Sequence, residues 1–399
     1  AGQAARSVLL DEAATRRLID AQLVGAGWQA DSQRLTYASG ARPQRGRNLA
    51  IAEWPAPGQQ AADYVLFAGM VPLATVEAKR RNTNVAGKIG QAERYARGLQ
   101  APDADITAWA QLGLPGPWAD GQGAHFQVPF AYSCNGRPYV QQLAELSGTW
   151  FRDLRAPSNL ARALPGFHSP QGLLDQLTRS RDEAQRRLQQ EGVAYLRLRP
   201  YQTQAIAAVE AALAEGRSRC LLAMATGTGK TRTVIGLMYR LLKAERFRRI
   251  LFLVDRNALG TQAQDDFDEI PLEQNQPLSR IYNLARLGDM AAEAETRVQV
   301  ATVQAMAHRL FASDNPPPVD AYDCVIVDEA HRGYALDQEM TEGEIAVRDH
   351  AQYLSTYRRV LDHFDAVRIG LTATPARHTT EIFGRPVFTY SYREAVEIG

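Results

Sequence analysis

The octapeptide MATGTGKT, Met224 to Thr231, constrains the fold more than any other stretch of the chain. It follows the apolar run CLLA and precedes RTVIGLMYRLLKA, so a strand must feed a glycine-bearing turn that opens a helix. Gly227 and Gly229 let the backbone bend until its N–H groups, those of Thr226 and Thr228 included, face phosphate oxygens. Lys230 can then reach the β and γ phosphates and Thr231 can ligate Mg2+. Met224 stands where the strict pattern has glycine, but only the later glycines need approach the phosphates. A plain turn is the weaker alternative, because a lysine there meets the end of a helix that disfavours cations. Around this loop RILFLVDR, VQVATVQ, CVIVDEAH and AVRIGLTATP are short apolar runs leading into polar loops and often helices. Such alternation predicts an α/β domain from about Leu196 with a doubly wound parallel sheet covered on both faces.

CVIVDEAH ends a buried strand in Asp328 and Glu329, one carboxylate to hold Mg2+ and one to orient or deprotonate an attacking water. LRPYQTQAI lies before the loop and offers Gln202 for the two-way hydrogen bonding an adenine edge requires. In order, RPYQ, MATGTGKT, LFLVDRNAL, ATVQAM, DEAH and LTATP resemble the first RecA-like domain of superfamily 2 helicases and translocases. The resemblance implies ATP and Mg2+ as cofactors, adenine recognition by Gln202, phosphate binding by the loop, and metal and water handling by Asp328 and Glu329. It also implies that Thr372 and Thr374 couple nucleotide to DNA and that Arg256 and Thr302 touch the DNA backbone, though either could be an ordinary surface residue. Members of this superfamily complete the site with arginines from a second RecA-like domain, a group worth about 10³ to 10⁵ in rate. The chain stops at Gly399, before such a domain, so slow ATP turnover by this chain alone is the expectation.

The preceding half reads differently. An opening helix is expected from about Glu12 to Val24, and RNLAIAEW, ADYVLFAG, PLATVEAKR and AHFQVPFAYSCNG, separated by Gly and Pro, predict a small sheet. GKIGQAERYARGLQ between them reads as a helix. In TVEAK, Glu77 and Lys79 project from one face while Val76 and Ala78 point the other way. A reversal at FAGMVP brings Asp63 alongside Glu77, and neighbouring carboxylates repel unless a cation such as Mg2+ joins them. Such a metal polarises a phosphodiester while Lys79 orients or helps deprotonate the attacking water. A salt-bridged strand is the bland alternative. The reading requires the two acids to converge rather than face apart or be tied up by arginines.

Asp63, Glu77-x-Lys79 and the helical pair Gln91 and Tyr95 resemble the PD-(D/E)xK nuclease core with its Gln-x-x-x-Tyr element, although Ala62 stands where the family has proline. Glu12 is a candidate further acid or a plain solvent-facing glutamate. With the motor motifs and with FLVDRNALG, DEAHRGY and FGRPVFTYSYREAVEIG, the order of parts resembles the restriction (motor, HsdR-type) subunit of type I restriction-modification enzymes from Glu12 to Gly399. The resemblance implies a nuclease domain over 1–165, a helical linker over 166–195 and a RecA-like domain over 196–399. It implies an ATP-dependent deoxyribonuclease that pulls double-stranded DNA and cuts unmodified DNA, docked on methyltransferase and specificity subunits. The rivals are a helicase or remodelling ATPase whose first domain only grips DNA, and an ATP-binding switch without a motor. Type III restriction subunits share the motor but usually carry the nuclease at the other end, so domain order favours type I.

At 399 residues, 45% hydrophobic and 22% charged, the chain has room for two or three domains, and its formal charge of +1 decides nothing about nucleic acid. No apolar run approaches the roughly 18 residues of a membrane span. The first residues lack the order of a secretory signal and begin without Met, which suggests a trimmed, cytoplasmic protein. Cys134, Cys220 and Cys324 are odd in number and far apart, so neither a disulfide framework nor a cysteine zinc site is expected.

Overall fold

The computed structural model describes residues 2–80, 83–99, 109, 112–254, 257–286, 293–330 and 356–394. The chain divides into two compact units, Ala1–Thr178 with Pro318–Asp320, and Arg179–Pro317 with Ala321–Gly399.

In the first unit the strands are β1 (Gln29–Ala30), β2 (Asn48–Ala56), β3 (Gln60–Ala68), β4 (Val71–Ala78), β5 (Trp118–Ala119), β6 (His125–Phe126), β7 (Phe130–Cys134), β8 (Thr149–Asp153) and β9 (Arg162–Leu164). Seven of them form one mixed sheet in the order β1-β2-β3-β4-β7-β8-β9, while β5 and β6 pair separately. β2, β3 and β4 run as an antiparallel meander. β4 then pairs in parallel with β7 through a crossover that contains the helix Ile89–Arg97. Alternate residues feed two cores: Tyr64, Leu66 and Val76 pack with Ile19, Leu23, Leu173 and Leu177, whereas Val65, Phe67 and Ala131 pack with Ala92, Tyr95 and Ala96 of that helix. The run FQVPFAYSC gives two strands rather than one because Pro129 has no N–H for a ladder.

The second unit holds β10 (Arg219–Met224), β11 (Ile250–Val254), β12 (Asn283–Ala285), β13 (Thr296–Thr302), β14 (Cys324–Val327), β15 (Val367–Thr372) and β16 (Pro386–Tyr390). Their order is β12-β13-β11-β14-β15-β10-β16, and every pairing is parallel. One face packs on the helices Pro200–Ala214 and Lys230–Lys243, the other on Val303–Phe311, Arg377–Phe383 and a helix over 356–363. Both faces are therefore apolar, as the near-continuous hydrophobic strands require.

The units meet in sequence at Thr178, later than the expected start of a linker at 166. Phe167, Leu173 and Leu177 explain the difference, because they are buried in the first unit's core. The helical linker expected over 166–195 contains two helices, Pro170–Thr178 and Arg181–Gln190. Ser180 breaks it by capping the second, its hydroxyl accepting from Glu183 N–H at 3.2 Å. Truncating fully buried Leu173 to alanine is expected to lower the first unit's stability by about 2–5 kcal/mol. All five tryptophans, Trp28, Trp54, Trp109, Trp118 and Trp150, lie in this unit. Tryptophan fluorescence in a denaturant titration reads the loss directly, and a change under about 0.5 kcal/mol would mean that this helix is linker after all.

Candidate functional site

The antiparallel register of β3 and β4 ends at Tyr64 opposite Val76, and one further step sets Asp63 opposite Glu77. The hairpin thus brings the Asp63 charge to bear on Glu77. The face is not wet, however, since Glu77 is only 2% exposed. The helix Ile89–Arg97 roofs it, with Thr75 Oγ1 donating to Ala92 O at 2.9 Å. Glu77 Oε1 pairs with the Lys79 ammonium, and Glu77 Oε2 is buried without a hydrogen-bond partner. Burial, with a further push from the Asp63 charge, raises the Glu77 carboxyl to about 7 against the opposing pull of Lys79. Lys79 N–H donates to Cys134 O at 2.7 Å, which extends the β4 ladder to the lysine. On the roofing helix Gln91 Nε2 donates to the Tyr95 hydroxyl at 2.9 Å, so the pair is closed on itself.

Asp63 is held from two sides. Its Oδ2 accepts the Ala78 N–H at 2.8 Å, and its Oδ1 accepts Arg16 Nη2 at 3.0 Å. Arg16 Nη1 donates to Glu53 Oε1 at 3.1 Å. The acids therefore do not face apart, yet one is tied to an arginine, contrary to what the sequence reading required. Sequence reasoning missed Arg16 and Glu53; the one signal was that Glu53 interrupts the apolar run RNLAIAEW. Glu12 lies on the opening helix, Gly2–Gly25, outside the residues whose side chains are described.

In the second unit the loop after β10 has Gly227 at φ 80° and Gly229 at φ 74°, the left-handed region that glycine tolerates. A Cβ on Gly229 would sit 2.6 Å from Gln202 Nε2, a second reason for glycine there. Gln202 is buried and both ends of its amide are engaged: Nε2 donates to Thr228 O and Gly229 O at 3.1 and 3.2 Å, and Oε1 accepts Arg199 N–H at 2.9 Å. Rather than reaching out to a base, it braces the loop, helped by Tyr201, whose hydroxyl donates to Thr228 O at 2.9 Å. Thr228 Oγ1 closes the loop on Ala225 O at 2.7 Å, while Thr226 is exposed. Lys230 is 9% exposed, and its Nζ lies 3.1 Å from Glu329 Oε1 as an ion pair without hydrogen-bond geometry. Glu329 sits at φ 47°, and its N–H donates to Asp328 Oδ1 at 2.9 Å.

β15 lies between β10 and β14, so Thr231, Asp328, Glu329 and Thr372 gather at the carboxyl ends of three neighbouring strands. Thr372 Oγ1 donates to Thr374 O at 3.1 Å and accepts from Thr374 N–H at 3.2 Å. Thr372 is buried and Thr374 exposed. Thr302 is not displayed for a DNA contact: it is buried, and its hydroxyl caps the helix Val303–Phe311 by accepting Ala305 N–H at 3.1 Å. Arg256 falls outside the described residues.

Two expectations follow. A carboxyl raised from its ordinary value to about 7 binds protons that the unfolded chain has released, so metal-free stability falls as pH rises from about 4.5 through 7. Glu77→Gln is therefore expected to stabilise the metal-free protein by about 1–3 kcal/mol at pH 8, with the gain vanishing near pH 4, in denaturant titrations across that range. Gln202→Ala unlatches the phosphate loop and is expected to weaken ATP and inorganic triphosphate alike, by roughly tenfold in equilibrium binding. Loss of ATP alone would return Gln202 to adenine recognition.

Residues 29–177 match the family model described as type I restriction enzyme EcoKI endonuclease subunit second domain, and residues 195–377 the model described as type III restriction enzyme, res subunit. The type I restriction enzyme EcoKI endonuclease subunit of Escherichia coli (strain K12) is 47% identical over 408 residues, covering 98% of this chain and 35% of that protein. The EcoAI endonuclease subunit of Escherichia coli is 29% identical over 362 residues, covering 85% of this chain and 36% of that protein. The chain thus spans about 35% of the length of these relatives. The P-loop sheet, the order of its motifs and an identity that runs almost from end to end agree: the chain belongs to the HsdR-type family of type I restriction enzyme endonuclease subunits, with a RecA-like α/β domain as its second unit.

Proposed function

We propose that the chain unites a Mg2+-dependent PD-(D/E)xK nuclease centre in its first unit with the ATP-binding half of a double-stranded DNA motor in its second. The observation that carries this reading is the buried Glu77 carboxylate, which has one oxygen without a partner and lies beside Asp63 and Lys79. An orphaned carboxylate oxygen in a sheet interior suits a hard cation with oxygen ligands, so the residues fit Mg2+. Asp63 and Glu77 would hold the ion, and the chemistry it would supply there is polarisation of the scissile phosphodiester and charge compensation at the leaving oxygen. Among the described residues no group of three or more His, Cys, Asp or Glu comes together as a possible metal site, so Asp63 and Glu77 are the protein ligands this reading names. Lys79 orients the attacking water and helps remove its proton. Gln91 and Tyr95, fastened to each other, keep the roofing helix in place over the acids.

In the second unit the backbone of Thr226 to Gly229 and the ammonium of Lys230 take the β and γ phosphates, and Thr231 and Asp328 hold the nucleotide's Mg2+. An arriving γ phosphate takes Lys230 from Glu329, and the freed carboxylate orients the water. Thr372 and Thr374 pass the change to DNA. Methyltransferase and specificity subunits supply site recognition, so that cutting falls on unmodified DNA. A cytoplasmic setting follows from that substrate, and no helix among the described residues is long and apolar enough to cross a membrane.

A second reading, a motor whose first domain only grips DNA, is favoured by one observation, the Arg16 ion pair on Asp63. Lys79→Ala in the whole subunit, reconstituted with its partners, separates the two. Loss of double-strand cutting by about 10²-fold or more with ATP-driven translocation retained is expected. Cutting that survives the substitution removes the nuclease role and leaves the grip.

A further inference from the structure

The guanidinium of Arg16 spans two carboxylates, Glu53 at 3.1 Å and Asp63 at 3.0 Å, one on each nitrogen of its fork. Asp63 has no need of Arg16 to keep its place, because the Ala78 N–H already fixes the other carboxylate oxygen. Nor is Glu53 there by backbone preference. Its φ of 53° lies in the left-handed region, unusual for a non-glycine residue within a strand. Core packing changes sides at this point: Ala52 and Tyr64 belong to one cluster, whereas Trp54 and Ala62, one pair further along the ribbon, belong to the other. Glu53 stands between those pairs, opposite Asp63, so the bend sets it within reach of the same arginine. Among the described residues, Arg16 from the opening helix and Glu77 from β4 are charges that act on Asp63, with Glu53 of β2 sharing the arginine and Lys79 paired to Glu77.

We propose that Arg16 is a resident counter-cation that a divalent ion displaces from Asp63, and that Glu53 receives the guanidinium when it moves. The inference rests on the reading of Asp63 and Glu77 as a metal-holding pair. A fork engaged on two acids can release one nitrogen while the other stays bonded, so Arg16 leaves Asp63 without ever being unpaired. The exchange puts a divalent charge on Asp63 where a single guanidinium stood, while Arg16 stays with Glu53 and Lys79 with Glu77. Arg16 and Glu53 are positioning residues in this account. They set how readily the ion enters and take no part in the chemical step.

Mn2+ binding to the nucleotide-free chain, followed by the electron paramagnetic resonance of the free ion, tests the exchange. Arg16→Ala removes the competitor and is expected to tighten Mn2+ on the order of tenfold, against the loss of affinity that a merely structural arginine would give. Arg16→Gln, which keeps a hydrogen-bond donor without the charge, is expected to tighten it likewise and guards against misfolding of the alanine variant. Glu53→Gln removes the receiving carboxylate and is expected to weaken binding about threefold. The double variant Arg16→Ala with Glu53→Gln is expected to match Arg16→Ala, because Glu53 acts through the arginine. Unchanged or weaker binding in both Arg16 variants, with Mn2+ still lost in Glu77→Gln, overturns the exchange and leaves the metal pair standing. Absence of any Mn2+ binding that depends on Glu77 overturns the metal pair, and the exchange with it.

Discussion

A carboxylate enclosed in a protein sheet is a liability unless something positive is provided for it, and Glu77 is the constraint around which the first unit is arranged. It lies on β4, between β3 and β7, and opposite Ser133 in the parallel register. A strand hydrogen-bonded on both sides has little freedom to turn the acid outward. The chain answers with Lys79 on one Glu77 oxygen, a neighbouring acid held by the Ala78 amide, and Arg16 on that neighbour. One oxygen is still left over. The folded state thus carries an electrostatic debt at its centre, which is the usual mark of a site whose purpose lies outside stability.

The second unit closes its charges in the same manner. Lys230 rests against Glu329, and the loop that carries it is fastened by Gln202 and Tyr201. In both units a lysine and a glutamate neutralise each other. The two sites differ in where rigidity comes from. The acids of the first are set by ladder register, whereas the phosphate loop depends on left-handed glycines and on one buried amide.

What could be read from the sequence was local. Strand, glycine loop and helix are consecutive in MATGTGKT, and the Asp63–Glu77 pairing needs only one tight reversal, so both followed from alternation and turn chemistry. Arg16 and Glu53 were out of reach because their partners lie 47 and 37 residues apart and no periodicity links them. The family resemblance assigns Gln202 to adenine and Thr302 to the DNA backbone or a plain surface position; the fold spends the amide on the loop and the hydroxyl on a helix cap. The break at Ser180 was legible, as Ser-Arg-Asp-Glu is a capping sequence, but the charged run around it hid the signal. The later boundary at Thr178 depended on which core accepts Phe167, Leu173 and Leu177, a tertiary choice that helical spacing does not contain.

The placement of β10 carries a consequence for how such a chain is made. The strand that leads into the phosphate loop spans Arg219–Met224, but its two neighbours are β15 and β16, which end only at Tyr390. During synthesis both edges of β10 stay unpaired until well over a hundred more residues have left the ribosome, and an unpaired apolar edge invites pairing with other chains. The first unit draws on Pro318–Asp320 but otherwise ends at Thr178, so it has most of its parts long before then. The glycine loop's strand is therefore paired late within this stretch, and the nascent second unit depends on its own late strands, or on chaperones, for protection in the interval.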